Sequence, residues 1–307
     1  MLKKKSIFSL LLSIVIILMF ILFVKENSKN PMEDILDSPQ MEMPTKSDES
    51  LDIDLHSSNA VLVNLDENKI LLDKNSEEVI YPASLTKIMT VLVAIENIPE
   101  LNEKVFLPQS IFADLYKKNA SMAGFLANEE VTAKDLLYGS MLPSGAEASI
   151  GLANFVAGSE RKFVKLMNDK AQQLGMKDTH FTNATGLHHH DHYTSVKDIS
   201  ILLQYALTNN IFRDVYTAQR HSTSPTNLHP EGITFTNRMF KNISSSDLPK
   251  GKIIGGKTGY TEKAGLCLAS LAVINEQEYI LVTVGAEGDH HTEQFNITDA
   301  FSVYSGL

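Results

Sequence analysis

Apolar residues gather into strand-like runs towards both ends of the chain and into helical periods between them. Ala60-Val61-Leu62-Val63-Asn64-Leu65 and Lys69-Ile70-Leu71-Leu72 flank Asp66-Glu67-Asn68, the pattern of a hairpin. Tyr81-Pro82-Ala83 then leads into Ser84 and a helical period carried by Ile88, Met89, Val91, Leu92 and Ile95. Proline is tolerated just ahead of a helix, so the period predicts that Ser84 sits in the first turn. Helical patterns dominate from about Pro108 to Thr208, notably over Ala133 to Tyr138, Ala146 to Val156, Arg161 to Leu174 and Val196 to Leu207. Ser195 with Asp198 reads as the capping start of the last of these. Strand character returns over Gly265 to Ile274 and Tyr279 to Gly285, and Thr292 to Tyr304 reads as a closing helix. Strands at both ends with helices between them predict an α+β fold whose first and last segments share one sheet.

The first 57 residues follow other rules. Lys3, Lys4 and Lys5 precede an uncharged stretch from Ser6 to Val24, rich in Leu, Ile, Val and Phe. As a helix it spans about 28 Å, close to the hydrocarbon thickness of a bilayer. The excess of lysine before it predicts an N-terminus inside and the body outside. Residues 1–24 are therefore expected to be a membrane anchor or, alternatively, a cleaved secretion signal. No A-x-A-like cleavage site follows them. Residues 25–57 are acidic, carry Pro31, Pro39 and Pro44, and hold no apolar period, so a flexible linker is expected there. Residues 58–307 are left as the folded, functional domain.

Composition narrows the partners. At 43% hydrophobic and 21% charged the chain is ordinary globular material, and its net charge of −10 disfavours nucleic acid. One cysteine, Cys267, allows no intrachain disulfide, offers too few thiolates for a structural zinc, and reads as a small buried hydrophobe. His188-His189-His190-Asp191-His192 holds metal-ligating residue types, but consecutive side chains rarely converge on one ion and the run falls in a loop. No cofactor and no metal are expected.

Three short strings carry the chemistry: Ser84-Leu85-Thr86-Lys87, Ser144-Gly145-Ala146 and Lys257-Thr258-Gly259. On a helix, Ser84 and Lys87 share a face, so the hydroxyl can pass its proton to the amine. Lysine at its ordinary pKa of about 10.4 is charged and no base. Burial, the helix dipole or a neighbouring cation such as Lys257 has to lower it. Ser144 lies in a turn between helices, where its hydroxyl can relay a proton. Lys257 and Thr258 beside a strand edge suit a carboxylate, with glycines allowing close approach. Each string alone also has a plain structural reading: an N-cap, a turn serine, a glycine-rich start to a strand.

S-x-x-K, S-D-N and K-T-G in this order are the signature of class A β-lactamases and penicillin-binding proteins. From about Ser58 to Tyr304 the chain resembles the serine D-alanyl-D-alanine carboxypeptidases, the low-molecular-weight penicillin-binding proteins. The resemblance extends to Tyr81 through Thr90, to Phe181-Thr182-Asn183-Ala184-Thr185-Gly186-Leu187 with His192-Tyr193-Thr194, and to Gly256 through Gly265. It implies a β-lactamase/transpeptidase-like fold with a helical subdomain, and a substrate that is a peptidoglycan stem peptide ending in D-Ala-D-Ala. It also implies β-lactams as covalent inhibitors. By the same resemblance Ser84 is the nucleophile, Lys87 its base and Ser144 a proton relay. Lys257, Thr258 and Arg238 hold the terminal carboxylate, beside Gly259, and the N–H groups of Ser84 and Tyr260 form an oxyanion hole. Many relatives continue into a small C-terminal β-domain, which, with this sequence ending at Leu307, is expected to be missing.

The middle string departs from the family. Ala146 stands where the family has an asparagine whose amide binds the substrate backbone, with Glu147 or a water as candidate substitutes. This departure keeps a non-catalytic penicillin-binding sensor or wall-binding module open as an alternative. A β-lactamase-like hydrolase is the other, although nothing between Thr179 and Asp198 matches the deacylating glutamate of class A enzymes.

Overall fold

A computed structural model of the chain describes residues 43–47, 51 and 53–307. The expected membrane segment, 1–24, lies outside the described residues, as does the linker up to residue 42. Among the described residues no helix is long and apolar enough to cross a membrane.

In chain order the strands are β1 (Thr45–Lys46), β2 (Asn59–Asn64), β3 (Lys69–Lys74), β4 (Lys104–Leu107), β5 (Glu129–Thr132), β6 (Arg220–Ser222), β7 (Thr234–Thr236), β8 (Asp247–Leu248), β9 (Gly251–Thr261), β10 (Gly265–Ile274) and β11 (Gln277–Ala286). The helices are α1 (Thr86–Asn97), α2 (Phe112–Lys117), α3 (Ala133–Met141), α4 (Ala146–Ala157), α5 (Glu160–Gln173), α6 (Val196–Ala206), α7 (Asn210–Thr217), α8 (Arg238–Lys241) and α9 (Phe295–Ser305). One sheet has the order β1-β3-β2-β11-β10-β9-β8. Only the β1–β3 pair is parallel. The first hairpin and the last two long strands meet at β2–β11, with Val61 opposite Val282, so both chain ends build one sheet as expected.

Every residue of β2 is buried, because the sheet is covered on both faces. Ala60 and Leu62 join Leu281, Ile297, Ala300 and Val303 in the layer under α9. Val61 and Val63 point the other way by strand alternation and are equally buried, on the side where α6 packs on β2 and β11. This two-sided burial explains why the strands read as continuous apolar runs rather than as alternation. Helix α1 is buried from Thr86 to Ile95 and packs against α3, α4, α5, α6 and α7. A helix apolar all round belongs at the centre of a domain. This one carries Lys87 there.

Three expectations are corrected. The linker does not run to residue 57: β1 pairs with β3, Leu51 N–H donates to Leu71 O at 2.8 Å, and Asp299 accepts from Ser57 N–H at 2.8 Å and Ser57 Oγ at 2.6 Å. Backbone pairing, the buried Asp299 carboxylate and the alternating apolar residues Leu51, Ile53 and Leu55, which pack on the core, recruit this segment. The helical region is interrupted by β5, which pairs antiparallel with β4 across the intervening α2. Ser84 lies in a single 3-10 turn, Ala83–Leu85, just before α1, because Ala83 adopts φ +46°. The Ser195 cap of α6 forms, with Asp198 N–H donating to Ser195 Oγ at 3.1 Å. The Asp198 carboxylate instead accepts from Asp178 N–H and Thr179 Oγ.

Candidate active site

The turn before α1 places Ser84 Oγ 3.2 Å from Lys87 Nζ. Lys87 is only 2% exposed and donates a 2.5 Å hydrogen bond to Thr185 O. Burial, and after it the positive charge of Arg238, lowers its pKa to about 7, against a smaller upward pull from Glu147. The cation acting on Lys87 is thus Arg238; Lys257, one candidate for that charge beside burial and the helix dipole, has its own pKa lowered by burial and then by Lys87.

Lys257 sits on β9, 1% exposed, and donates to Ser144 Oγ at 2.9 Å and to Thr258 O at 2.8 Å. Burial pushes its pKa well below the ordinary value, and Lys87 and Arg238 add to this. The three strings therefore converge, across more than a hundred residues, into two joined pairs: Ser84 with Lys87, and Ser144 with Lys257. Ser144 has φ +67° in the turn between α3 and α4, and Gly145 follows it where a Cβ would lie 2.6 Å from Ala123 Cβ. Gly259 packs against the turn; a Cβ there would come 3.1 Å from Ser84 N. Arg238 opens α8 with its guanidinium partly buried, held by its own N–H on Leu142 O at 3.2 Å. Asn237 beside it donates to Gly256 O at 2.9 Å.

Ser84 and Lys87 line a cleft of about 1190 Å³ together with Ala146, Glu160, Tyr260 and His290, whereas Ser144, Lys257 and Thr258 are not among its lining residues and Arg238 lines a second cavity of about 340 Å³ with Pro143 and Lys241. Tyr260 meets His290 edge to face at 4.9 Å. β8 pairs with β9 only at Gly251 and Lys252, so among the described residues no strand covers the outer edge of β9 from Lys257 to Thr261. Ala146 is buried, its N–H donating to Ser121 O at 2.7 Å. Glu147 does not replace the missing amide. Its Oε1 accepts from Ala123 N–H at 2.7 Å and Gly124 N–H at 2.9 Å, and burial raises its pKa.

Sequence reasoning missed the part played by the loop before α6. Thr185 contributes a backbone carbonyl, which no side-chain pattern announces. Asn183 Oδ1 shapes this loop by accepting from Thr185 N–H, Thr185 Oγ and Gly186 N–H. Gly186, at φ +78°, lies so close to the Ser84 turn that a Cβ would fall 1.9 Å from Ala83 O. Further along, a turn brings one ligating atom each of His189, His190 and Asp191 within 4.8 Å of one another. All three residues are exposed, and His189 Nδ1 accepts from Asp191 N–H at 3.1 Å.

The sequence model of the D-alanyl-D-alanine carboxypeptidase family, peptidase family S11, matches residues 43–288. The chain belongs to this family. Among its relatives, the D-alanyl-D-alanine carboxypeptidase DacF of Bacillus subtilis is 37% identical over 235 residues, which cover 75% of this chain and 57% of that protein. The chain thus spans little more than half the length of that relative. A D-alanyl-D-alanine endopeptidase of Escherichia coli is 29% identical over 241 residues, covering 77% of this chain and 74% of the endopeptidase. The crystal structure of the Streptomyces K15 DD-transpeptidase superposes with a TM-score of 0.73 at 24% identity, covering 82% of this chain and 97% of that one. The β-lactamase/transpeptidase-like α+β fold expected from the family is the fold observed.

Proposed function

We propose that the protein is a serine D,D-carboxypeptidase that removes the terminal D-Ala from peptidoglycan stem peptides and is acylated by β-lactams. The observation that carries this reading is the Ser84–Lys87 pair: a hydroxyl 3.2 Å from a buried amine whose pKa is about 7, so that much of it is neutral near neutral pH. Ser84 Oγ attacks the carbonyl carbon of the penultimate D-Ala while its proton passes to Lys87 Nζ. The resulting oxyanion faces the N–H groups of Ser84 and Tyr260, a type of interaction worth about 3–4 kcal/mol per donor. Collapse breaks the peptide bond, and the departing amine takes a proton through Ser144. Water then cleaves the ester on Ser84 and regenerates the serine. Lys257, Thr258 and Arg238 hold the terminal carboxylate, and the open edge of β9 suits an extended peptide backbone.

We further propose that the catalytic domain, 58–307 with the strand at 45–46 added, lies outside the cytoplasm and is tethered by the apolar segment 6–24; membership of the family and the lysines ahead of that segment support this reading. Two measurements test the reading. Labelled penicillin attaches to the protein and not to Ser84→Ala, and D-Ala is released from a D-Ala-D-Ala-ended peptide. Labelling without release supports the sensor reading that Ala146 keeps open. Absence of labelling refutes the serine mechanism.

A further inference from the structure

Ala83 is a non-glycine residue in the left-handed region, directly before the nucleophile. Such a backbone persists only where its surroundings over-determine it. Gly186 and Gly259 crowd it from two sides. Its carbonyl accepts from Thr86 N–H and, at 2.8 Å, from Thr86 Oγ. The Thr86 hydroxyl has one further partner, His192 Nε2, at 2.8 Å. His192 is 2% exposed, and its Nδ1 accepts from Thr182 N–H at 3.0 Å. An N–H can only donate, so Nδ1 carries a lone pair and the ring proton sits on Nε2. A directed chain follows: Thr182 N–H to His192, His192 Nε2–H to Thr86 Oγ, and Thr86 Oγ–H to Ala83 O. It ties the loop that offers Thr185 O to Lys87 to the turn that carries Ser84.

We infer that His192 is a positioning residue, which through the Thr86 hydroxyl holds the Ala83 carbonyl in the turn that aims Ser84 Oγ at Lys87. Burial lowers its pKa to about 3, and the charges of His180, His189, His188 and Lys87 add to this. The ring therefore stays neutral through the working range and takes no proton from the reaction. The inference rests on the serine peptidase reading and assigns His192 no contact with substrate.

The test exploits the two ring nitrogens. A glutamine amide overlays Nε2 and can still donate to Thr86, whereas an asparagine amide overlays only Nδ1 and serves Thr182. Acylation by labelled penicillin and D-Ala release are measured for wild type, His192→Gln, His192→Asn, Thr86→Val and the His192→Asn/Thr86→Val double variant, with Tm alongside. Glutamine is expected to stay within a few-fold of wild type. Asparagine and Thr86→Val are expected to lose about 10- to 100-fold in kcat with KM little changed, the cost of a misaimed nucleophile. The double variant is expected to be no worse than the worse single, because both break one chain. The acid limb of the pH profile stays in place for every variant. Equal losses in Gln and Asn that track Tm, additive losses in the double variant, or a displaced acid limb overturn the inference. A wild type that is never labelled refutes the peptidase reading itself.

Discussion

Removing Arg238 should move the acid limb of acylation to higher pH. Lys87 acts as a base only when neutral, and burial with the Arg238 charge brings its pKa from 10.5 to about 7. A group titrating there is about one tenth neutral at pH 6 and about nine tenths neutral at pH 8, so acylation rises about tenfold between them and then levels off. Arg238 acts on Lys87 as a like charge, which favours loss of the proton. Without that charge, in Arg238→Gln, Lys87 holds its proton to higher pH, and the rate at pH 7 falls while the alkaline plateau is kept. The rate constant at saturating penicillin, followed from pH 5.5 to 9, separates this effect from lost carboxylate binding. A flat profile between pH 6 and 8, or a limb that moves down when Arg238 is replaced, refutes this account of how Lys87 becomes a base.

The same burial has a cost in stability. Lys87 has its ordinary pKa when unfolded and about 7 when folded, so the penalty is complete below pH 7 and fades as pH rises towards 10.5. Lys87→Met is therefore expected to be inactive yet more stable, by a few kcal/mol at pH 6 and less at pH 9, in denaturant titrations. Gly186→Ala forces a Cβ against Ala83 O from a φ of +78°; a loss of about 2–4 kcal/mol and of most acylation is expected, read by Tm and penicillin labelling. Ala146→Asn restores an amide worth about 0.5–1.5 kcal/mol, so a two- to tenfold lower KM for D-Ala release is expected where the missing bond limits binding. An unchanged KM shows that it does not.

The parts of this site that were legible in the sequence are those set by local geometry. Ser84 and Lys87 are three residues apart beside a helix whose apolar period is plain, so their proximity follows from the spacing. The Lys257–Ser144 bond joins positions 113 residues apart and could be reached only through family resemblance. Glycine is scarce in strands, so the sequence alone leaves 255–259 open between a position on or beside a strand edge and a glycine-rich strand entry; Gly255, Gly256 and Gly259 sit inside β9, where Tyr216, Met239 and the Ser84 turn press close. Nothing announces that Ala83 takes a left-handed turn, since alanine carries no such preference; neighbours impose it. Likewise β1 is only two residues, threonine and lysine, paired with β3 through the backbone and through the Lys46–Asp73 ion pair at 2.6 Å.

Lys87, Lys257 and Arg238 share one small region, and each is shifted away from its charged form by burial, with like charge adding to the shift of the two lysines. The carboxylate acting on Lys87 is Glu147, whose own pKa is raised by burial and whose Oε1 is already taken by two backbone N–H groups. Such a site is short of negative charge. On the proposed function, the missing anion is the C-terminal carboxylate of the stem peptide. Its arrival beside Lys257 supplies an opposite charge, which raises the proton affinity of that amine. Binding should therefore take up a proton wherever the empty cleft leaves that amine neutral, which a scan from about pH 6 to 9 covers. Calorimetry of a D-Ala-D-Ala-ended peptide binding to Ser84→Ala, repeated in buffers of different ionisation enthalpy, reads that uptake from the slope of observed enthalpy. Lys257→Gln should abolish it together with most of the affinity. A slope of zero in the Ser84→Ala protein, with binding intact, would mean that Lys257 is already fully charged in the empty cleft. If the slope stays zero up to about pH 9, the lowering of its pKa by burial and by its two cationic neighbours is refuted.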